Sequence, residues 1–167
     1  MTTDTPSSNP RGPESAGVSR VLALTLATIG FFALAVFGLG ALSVATDTDI
    51  IAVRGLGQVP GVVGMLAALL AFALMLWSSL RREHPSFLSV PATALATALA
   101  HLIVLWAAVL VARGDVVIVT AVAGDLVRGG ASAVLLAAAA IAAWAGVALR
   151  RTRSRRPRWP WEDENEE

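Results

Sequence analysis

The chain alternates four long apolar runs with short polar linkers. The runs cover about residues 21–43, 59–80, 91–112 and 131–149. A helix needs about 20 apolar residues to cross a hydrocarbon core of about 30 Å, so each run can span a bilayer. The pattern therefore predicts an all-α fold, an integral membrane four-helix bundle whose transmembrane domain covers residues 18–150.

The arginines predict the orientation of this bundle. Placing both termini in the cytoplasm puts ten arginines inside and three outside, which is the asymmetry expected of loops flanking membrane spans. The inner set is Arg11, Arg20, Arg81, Arg82 and the six that follow Leu149, and the outer set is Arg54, Arg113 and Arg128. We expect a disordered cytoplasmic tail over residues 1–17 and a basic, then acidic, cytoplasmic tail over residues 151–167.

The two outer linkers predict short segments in the membrane interface. In residues 47–58, Asp49 is placed to cap a short interfacial helix. In residues 113–130, the apolar stretch 116–123 is rich in β-branched side chains, so an interfacial helix and a strand both stay open.

A cleaved signal peptide is the alternative for the first run. Ser43-Val44-Ala45 resembles a signal-peptidase site. The apolar region of a signal peptide is usually about 7–15 residues long, and this run is longer. We therefore expect an uncleaved first helix.

An internal repeat is a second open question. Shifting the chain by 67 residues places Gly57-Gln58 on Gly124-Asp125 and Trp77 on Trp144. Two parallel helical hairpins would give such matches, but alanine-rich sequence also produces them by chance. Chance is the interpretation that we favour.

Composition narrows the chemistry. Hydrophobic residues make up 56% of the chain, and there is no cysteine, which excludes disulfides and thiolate sites. All basic residues are arginine, which together with the alanine excess suggests a GC-rich genome. No phosphate-binding glycine loop or metalloprotease motif occurs, and His84 and His101 are predicted at different depths. We expect no enzyme activity, no metal, no cofactor and no nucleic acid partner.

One polar stripe crosses the third run. Thr93, Thr97 and His101 are spaced four residues apart and share a helix face, beside a small stripe of Ala92, Ala96 and Ala100. An ionisable group near mid-membrane is a candidate for a proton or substrate relay. The alternative is a neutral imidazole that bonds a neighbouring helix at Thr25 or Thr28. The second interpretation is favoured, because no run contains an acid.

Small residues predict close helix packing. Gly57 and Gly61 open the second run, and Ala142 and Gly146 lie in the fourth, each pair at a spacing of four. We expect these pairs to pack within one bundle rather than to form a dimer interface.

A basic and aromatic cluster follows the fourth run. Its members are Arg150, Arg151, Arg153, Arg155, Arg156, Arg158, Trp159 and Trp161. Such a cluster can contact anionic lipids of the inner leaflet or a membrane protein partner, and it can also act only as a topology anchor. We favour lipid contact by its basic part and a free acidic end.

The tail also carries a resemblance. Arg156-Pro157-Arg158-Trp159-Pro160-Trp161-Glu162, placed after four spans, resembles a family of small actinobacterial membrane proteins that is catalogued as a domain of unknown function. The resemblance implies a multi-pass protein of a Gram-positive plasma membrane. It implies no activity and no site residue.

Three functional hypotheses are compatible with this architecture. The favoured hypothesis is an accessory or scaffold subunit of a membrane complex. The alternative is a small oligomeric transporter or channel with His101 near its path, for which the chain would be a homo-oligomer. An intramembrane enzyme ranks last, because catalytic residues are missing.

Overall fold

A computed structural model describes residues 18–47, 59–82 and 86–151 as a helical bundle. The described residues contain five helices and no strand. The helices are α1 (Arg20–Thr46), α2 (Val59–Leu80), α3 (Ser89–Arg113), α4 (Val116–Arg128) and α5 (Ala131–Arg151). All except α4 are long and apolar enough to cross a membrane, so the predicted all-α, four-span fold is confirmed.

Local sequence explains where the first two spans begin and end. Ser19 caps α1 by accepting a hydrogen bond from the Leu22 N–H at 3.1 Å. Asp47 ends α1 in the left-handed conformation, with φ of 50°. The helix therefore continues through Ser43-Val44-Ala45. Pro60 lies in the first turn of α2, where its missing N–H removes no intrahelical bond.

The linker after α3 is helical, which decides between the two predicted alternatives. Gly114, with φ of 68°, ends α3, and its N–H bonds the Leu110 carbonyl. The Asp115 carboxylate then accepts from the Val117 N–H at 2.8 Å and starts α4. The strand alternative is wrong, because this cap and an apolar helix face outweigh the β-branched propensity. The other predicted interfacial segment, with Asp49, lies outside the described residues.

The four spans form a ring in the order α1, α2, α3, α5. Chain neighbours and the pair α1–α5 pack side by side, and α3 packs against α5. Helices α1 and α3 are diagonal, and their backbones do not approach each other in the part of the chain that is described. The first and last spans are thus adjacent, as in an up-down-up-down bundle.

The α1–α5 seam is closely packed. A Cβ added at Gly146 of α5 would lie 3.0 Å from the Cβ of Ala27. A Cβ added at Gly38 of α1 would likewise lie 2.6 Å from Cγ1 of Val134 on α5. Buried alanines and one aromatic residue line the α1 side of the seam, namely Ala23, Ala27, Phe31 and Ala35. Of the two predicted small pairs, Ala142 and Gly146 are therefore buried inside the bundle, and Gly57 lies outside the described residues.

Helix α4 covers one end of the bundle. Its Val119, Val122 and Leu126 are buried against Leu105 and Val109 in the last turns of α3. We call this the α4 end. The opposite end, where Val18 precedes α1 and Arg151 ends α5, is called the tail end. The Arg150 Nη1 donates to the Val18 carbonyl at 2.9 Å and joins the first and last spans there.

Candidate functional site

The predicted polar stripe is part of a longer buried row on α3. Thr93, Thr97 and His101 are followed at the same spacing by Leu105 and Val109, and all five are at most 6% exposed. The half of the row near the tail end is polar, and the half near α4 is apolar. The structure therefore brings the three predicted residues together on one buried face.

The hydroxyls of this row are bonded to their own helix. Thr97 Oγ1 donates to the Thr93 carbonyl at 2.7 Å, and Thr93 Oγ1 donates to the Ser89 carbonyl at 2.8 Å. Ser89 Oγ donates to the Ser86 carbonyl. Because a hydroxyl has one proton, Ser79 on α2 must donate to Ser89 Oγ across 2.7 Å. One side-chain hydrogen bond thus joins α2 and α3 at the tail end.

His101 packs against a glycine of α2. A Cβ added at Gly64 would lie 3.1 Å from Cε1 and 3.2 Å from Nδ1 of the imidazole. The glycine therefore makes room for the ring. Nδ1 is buried beside the Gly64 backbone, and it makes no hydrogen bond of good geometry within the described residues.

The predicted partner of His101 on the first span is wrong. Thr25 is exposed, and the buried Oγ1 of Thr28 has no described hydrogen-bond partner. The physical reason is topological, since α1 and α3 occupy opposite corners of the ring. Apolar periodicity identifies the buried face of each helix but not which helix that face meets.

The predicted small stripe beside the polar row lies at the edge of the buried face of α3. Ala92 is exposed and Ala96 and Ala100 are half-buried, whereas Ala94 and Ala98 are buried. The buried small residues thus lie one position beyond Thr93 and Thr97 rather than one position before them.

The row offers little for proton transfer. The threonine protons are held by backbone carbonyls, so they do not link one side chain to the next. The buried polar side chains of the described chain are Ser79, Thr93, Thr97, His101 and Ser132, and none is an acid. The described residues also contain no group of three metal-ligating side chains, and His84 lies outside them. The arrangement suits helix packing.

The second candidate site, the arginine cluster, is described only at its start. Arg150 is half-buried on the Val18 carbonyl, and Arg151 is exposed. The remaining residues lie outside the described range, namely Arg153, Arg155, Arg156, Arg158, Trp159 and Trp161.

Aromatic rings surround this start of the cluster. The Arg151 guanidinium lies 4.8 Å from the centre of the Phe87 ring, and Phe87 stacks on Trp144 at 6.4 Å. Arg81 lies over Trp77 at 5.9 Å. Trp77 and Trp144 therefore both lie toward the tail end, and an arginine follows each of them in the chain.

Sequence reasoning missed Gly64, Phe87 and the Ser79–Ser89 pair. Gly64 had a detectable signal, because Gly64 and Ala68 form another small pair at a spacing of four. The serines and Phe87 lie beside the loop between α2 and α3, where hydropathy gives no periodic signal.

The family comparison covers almost all of this architecture. A family model described as "Family of unknown function (DUF6121)" matches residues 15–167. The chain belongs to DUF6121. The matched range includes all five helices and the tail, so the predicted membership of an uncharacterised family is confirmed. No curated protein and no solved structure matches the chain.

Proposed function

We propose that this DUF6121 protein is an accessory or scaffold subunit of a complex in the plasma membrane of a Gram-positive bacterium. The observation that supports this proposal is the closely packed interior of the described bundle. Alanine and glycine bring α1 and α5 together, and Phe31 stacks on Phe72 of α2 at 4.7 Å. A bundle of this kind offers its lipid-facing sides and its charged tails for assembly, and we propose no catalytic role for it.

A small oligomeric transporter or channel is the second candidate. It is supported by one observation, the buried Nδ1 of His101, which makes no hydrogen bond of good geometry within the described residues. In this alternative a second copy or a substrate would supply the missing hydrogen bond. An accessory role requires no such group, because membrane side-chain hydrogen bonds contribute only about 0.6 kcal/mol on average.

Affinity purification from native membranes separates the two candidates. The tagged full chain should retain a different membrane protein in mild detergent, and His101→Gln should retain it equally well. A homo-oligomer without other subunits, together with a substrate flux that His101→Gln abolishes, would contradict the scaffold proposal and support the transporter.

The proposed orientation has its own test. Both termini are proposed to be cytoplasmic because arginines concentrate on that side. Alkaline phosphatase fused after Leu149 should be inactive, and the same enzyme fused near Asp49 should be active. The reverse pattern would contradict this orientation.

A further inference from the structure

The tail end carries a continuous surface made of one arginine and two aromatic rings. Arg151, Phe87 and Trp144 are all exposed. Arg151 contacts the Phe87 ring, and the Phe87 ring contacts the Trp144 ring. Trp144 precedes Arg151 by seven residues, which is about 10 Å along a helix. The surface thus begins with a cation at the end of α5 and continues as an aromatic platform toward the membrane.

Arg151 and Arg150 use their guanidinium groups differently. Arg150 turns inward and uses its guanidinium on the Val18 carbonyl. The guanidinium carbon of Arg151 lies 4.8 Å from the centre of the Phe87 ring, and a cation–π contact of this kind uses none of the N–H donors. These donors suit a phosphate, which arginine can bind through two parallel hydrogen bonds.

The platform indicates that the phosphate belongs to a lipid. Trp144 is 57% exposed and the neighbouring Leu88 is 84% exposed, on a helical bundle whose other outward faces are apolar. Tryptophan prefers the headgroup level of a bilayer, where its ring contacts glycerol and upper acyl carbons. A soluble anion would use Arg151 alone and gain nothing from the two rings.

We propose that Arg151, Phe87 and Trp144 bind one anionic phospholipid, with its phosphate on Arg151 and its glycerol region along Phe87 and Trp144. The contact with Phe87 positions the guanidinium before the lipid arrives, which reduces the ordering cost of binding. The site depends on neither the scaffold proposal nor the orientation, because headgroups lie at both membrane surfaces.

Native mass spectrometry of the full chain in mild detergent tests this site with phosphatidylglycerol as the probe. Arg151→Gln should weaken retention of the lipid about five- to tenfold, the range expected for one surface arginine and its hydrogen bonds. Arg82→Gln is the matched control, because it removes the same charge from an exposed position at the same end. Equal losses in both variants would show diffuse attraction and overturn the proposal.

Two further variants separate stacking from charge. Phe87→Leu keeps an apolar residue but removes the ring, and it should weaken retention with Arg151 intact. Arg151→Lys keeps the charge and should bind between wild type and Arg151→Gln, and it also replaces Arg151→Gln if that variant does not fold. Unchanged retention in Phe87→Leu would overturn the aromatic part of the site.

The source of the phosphate is tested by competition. Excess inorganic phosphate should leave phosphatidylglycerol bound, and phosphatidylcholine should be retained more weakly, because its headgroup is zwitterionic. Displacement of phosphatidylglycerol by the excess inorganic phosphate would show a soluble-anion site and contradict the lipid assignment.

Discussion

The α1–α5 seam and the α2–α3 seam solve the same packing problem with different residues. At the first, Gly146 lets α5 approach Ala27, and the facing side chains are alanines, valine and phenylalanine. At the second, Gly64 makes room for the His101 ring, and Ser79 bonds Ser89. The close contacts of the first seam are apolar, with a polar link only at the tail end, where Arg150 bonds the Val18 carbonyl, whereas the second has polar groups along half of its length.

The difference indicates what the polar groups contribute. Both seams use a glycine where two helices come closest, so the glycine and not the polarity is their common element. In lipid, helices associate mainly through such packing, because lipid tails are as apolar as the side chains. The polar residues of the α2–α3 seam therefore add register and a small stabilisation to an interface that shape already provides.

Gly146→Leu should have the largest effect of the changes considered. The new side chain would meet Ala27 at its Cβ and Leu76 at 3.2 Å, and overpacking of a core costs about 1–3 kcal/mol or more. We expect a clearly lower midpoint of thermal unfolding in detergent. Gly30→Leu is the matched control, since no described atom lies within 4 Å of a Cβ there. Similar losses in both variants would contradict the seam.

Gly64→Ala should have an intermediate effect, about 1 kcal/mol, because the imidazole end can shift whereas Leu105 Cβ at 3.3 Å cannot. In a His101→Ala background the same change should cost less. Unfolding midpoints of the two single variants and the double variant measure this coupling. Strictly additive losses would show that Gly64 and His101 do not pack as described.

Ser79→Ala should have a small effect, about 0.6 kcal/mol, because it removes the bond between α2 and α3. Thr97→Val should have a smaller one, since Thr97 bonds only a carbonyl of its own helix. The same thermal measurement compares them. A larger loss for Thr97→Val would indicate that the hydroxyl makes a contact outside α3.

These seams also show what could be predicted from the sequence. The four spans follow from hydropathy, because run length and composition alone decide whether a helix can cross a bilayer. The buried face of α3 follows from the four-residue spacing of Thr93, Thr97 and His101. Gly146 follows from small-residue spacing.

Pairing between helices could not be predicted in the same way. The choice of Thr25 or Thr28 as the partner of His101 required α1 beside α3, and hydropathy does not encode the order of helices around the ring. The same limit explains Phe87, since a loop aromatic ring gains its role only where Trp144 and Arg151 come near it. The helical state of α4 depended on the Asp115 cap, whereas its β-branched residues favoured the opposite choice.

Because His101 and its polar row are packed inside the bundle, we expect them to line no aqueous path. The chain has no cysteine, so a single introduced thiol is unique. We would measure the reaction of His101→Cys, Thr97→Cys and the exposed control Arg82→Cys with a water-soluble, membrane-impermeant thiol reagent, in membranes open to it on both sides. We expect rapid labelling of Arg82→Cys, and labelling of the other two only after denaturation. Labelling of His101→Cys in intact membranes at a rate comparable to the control would contradict it.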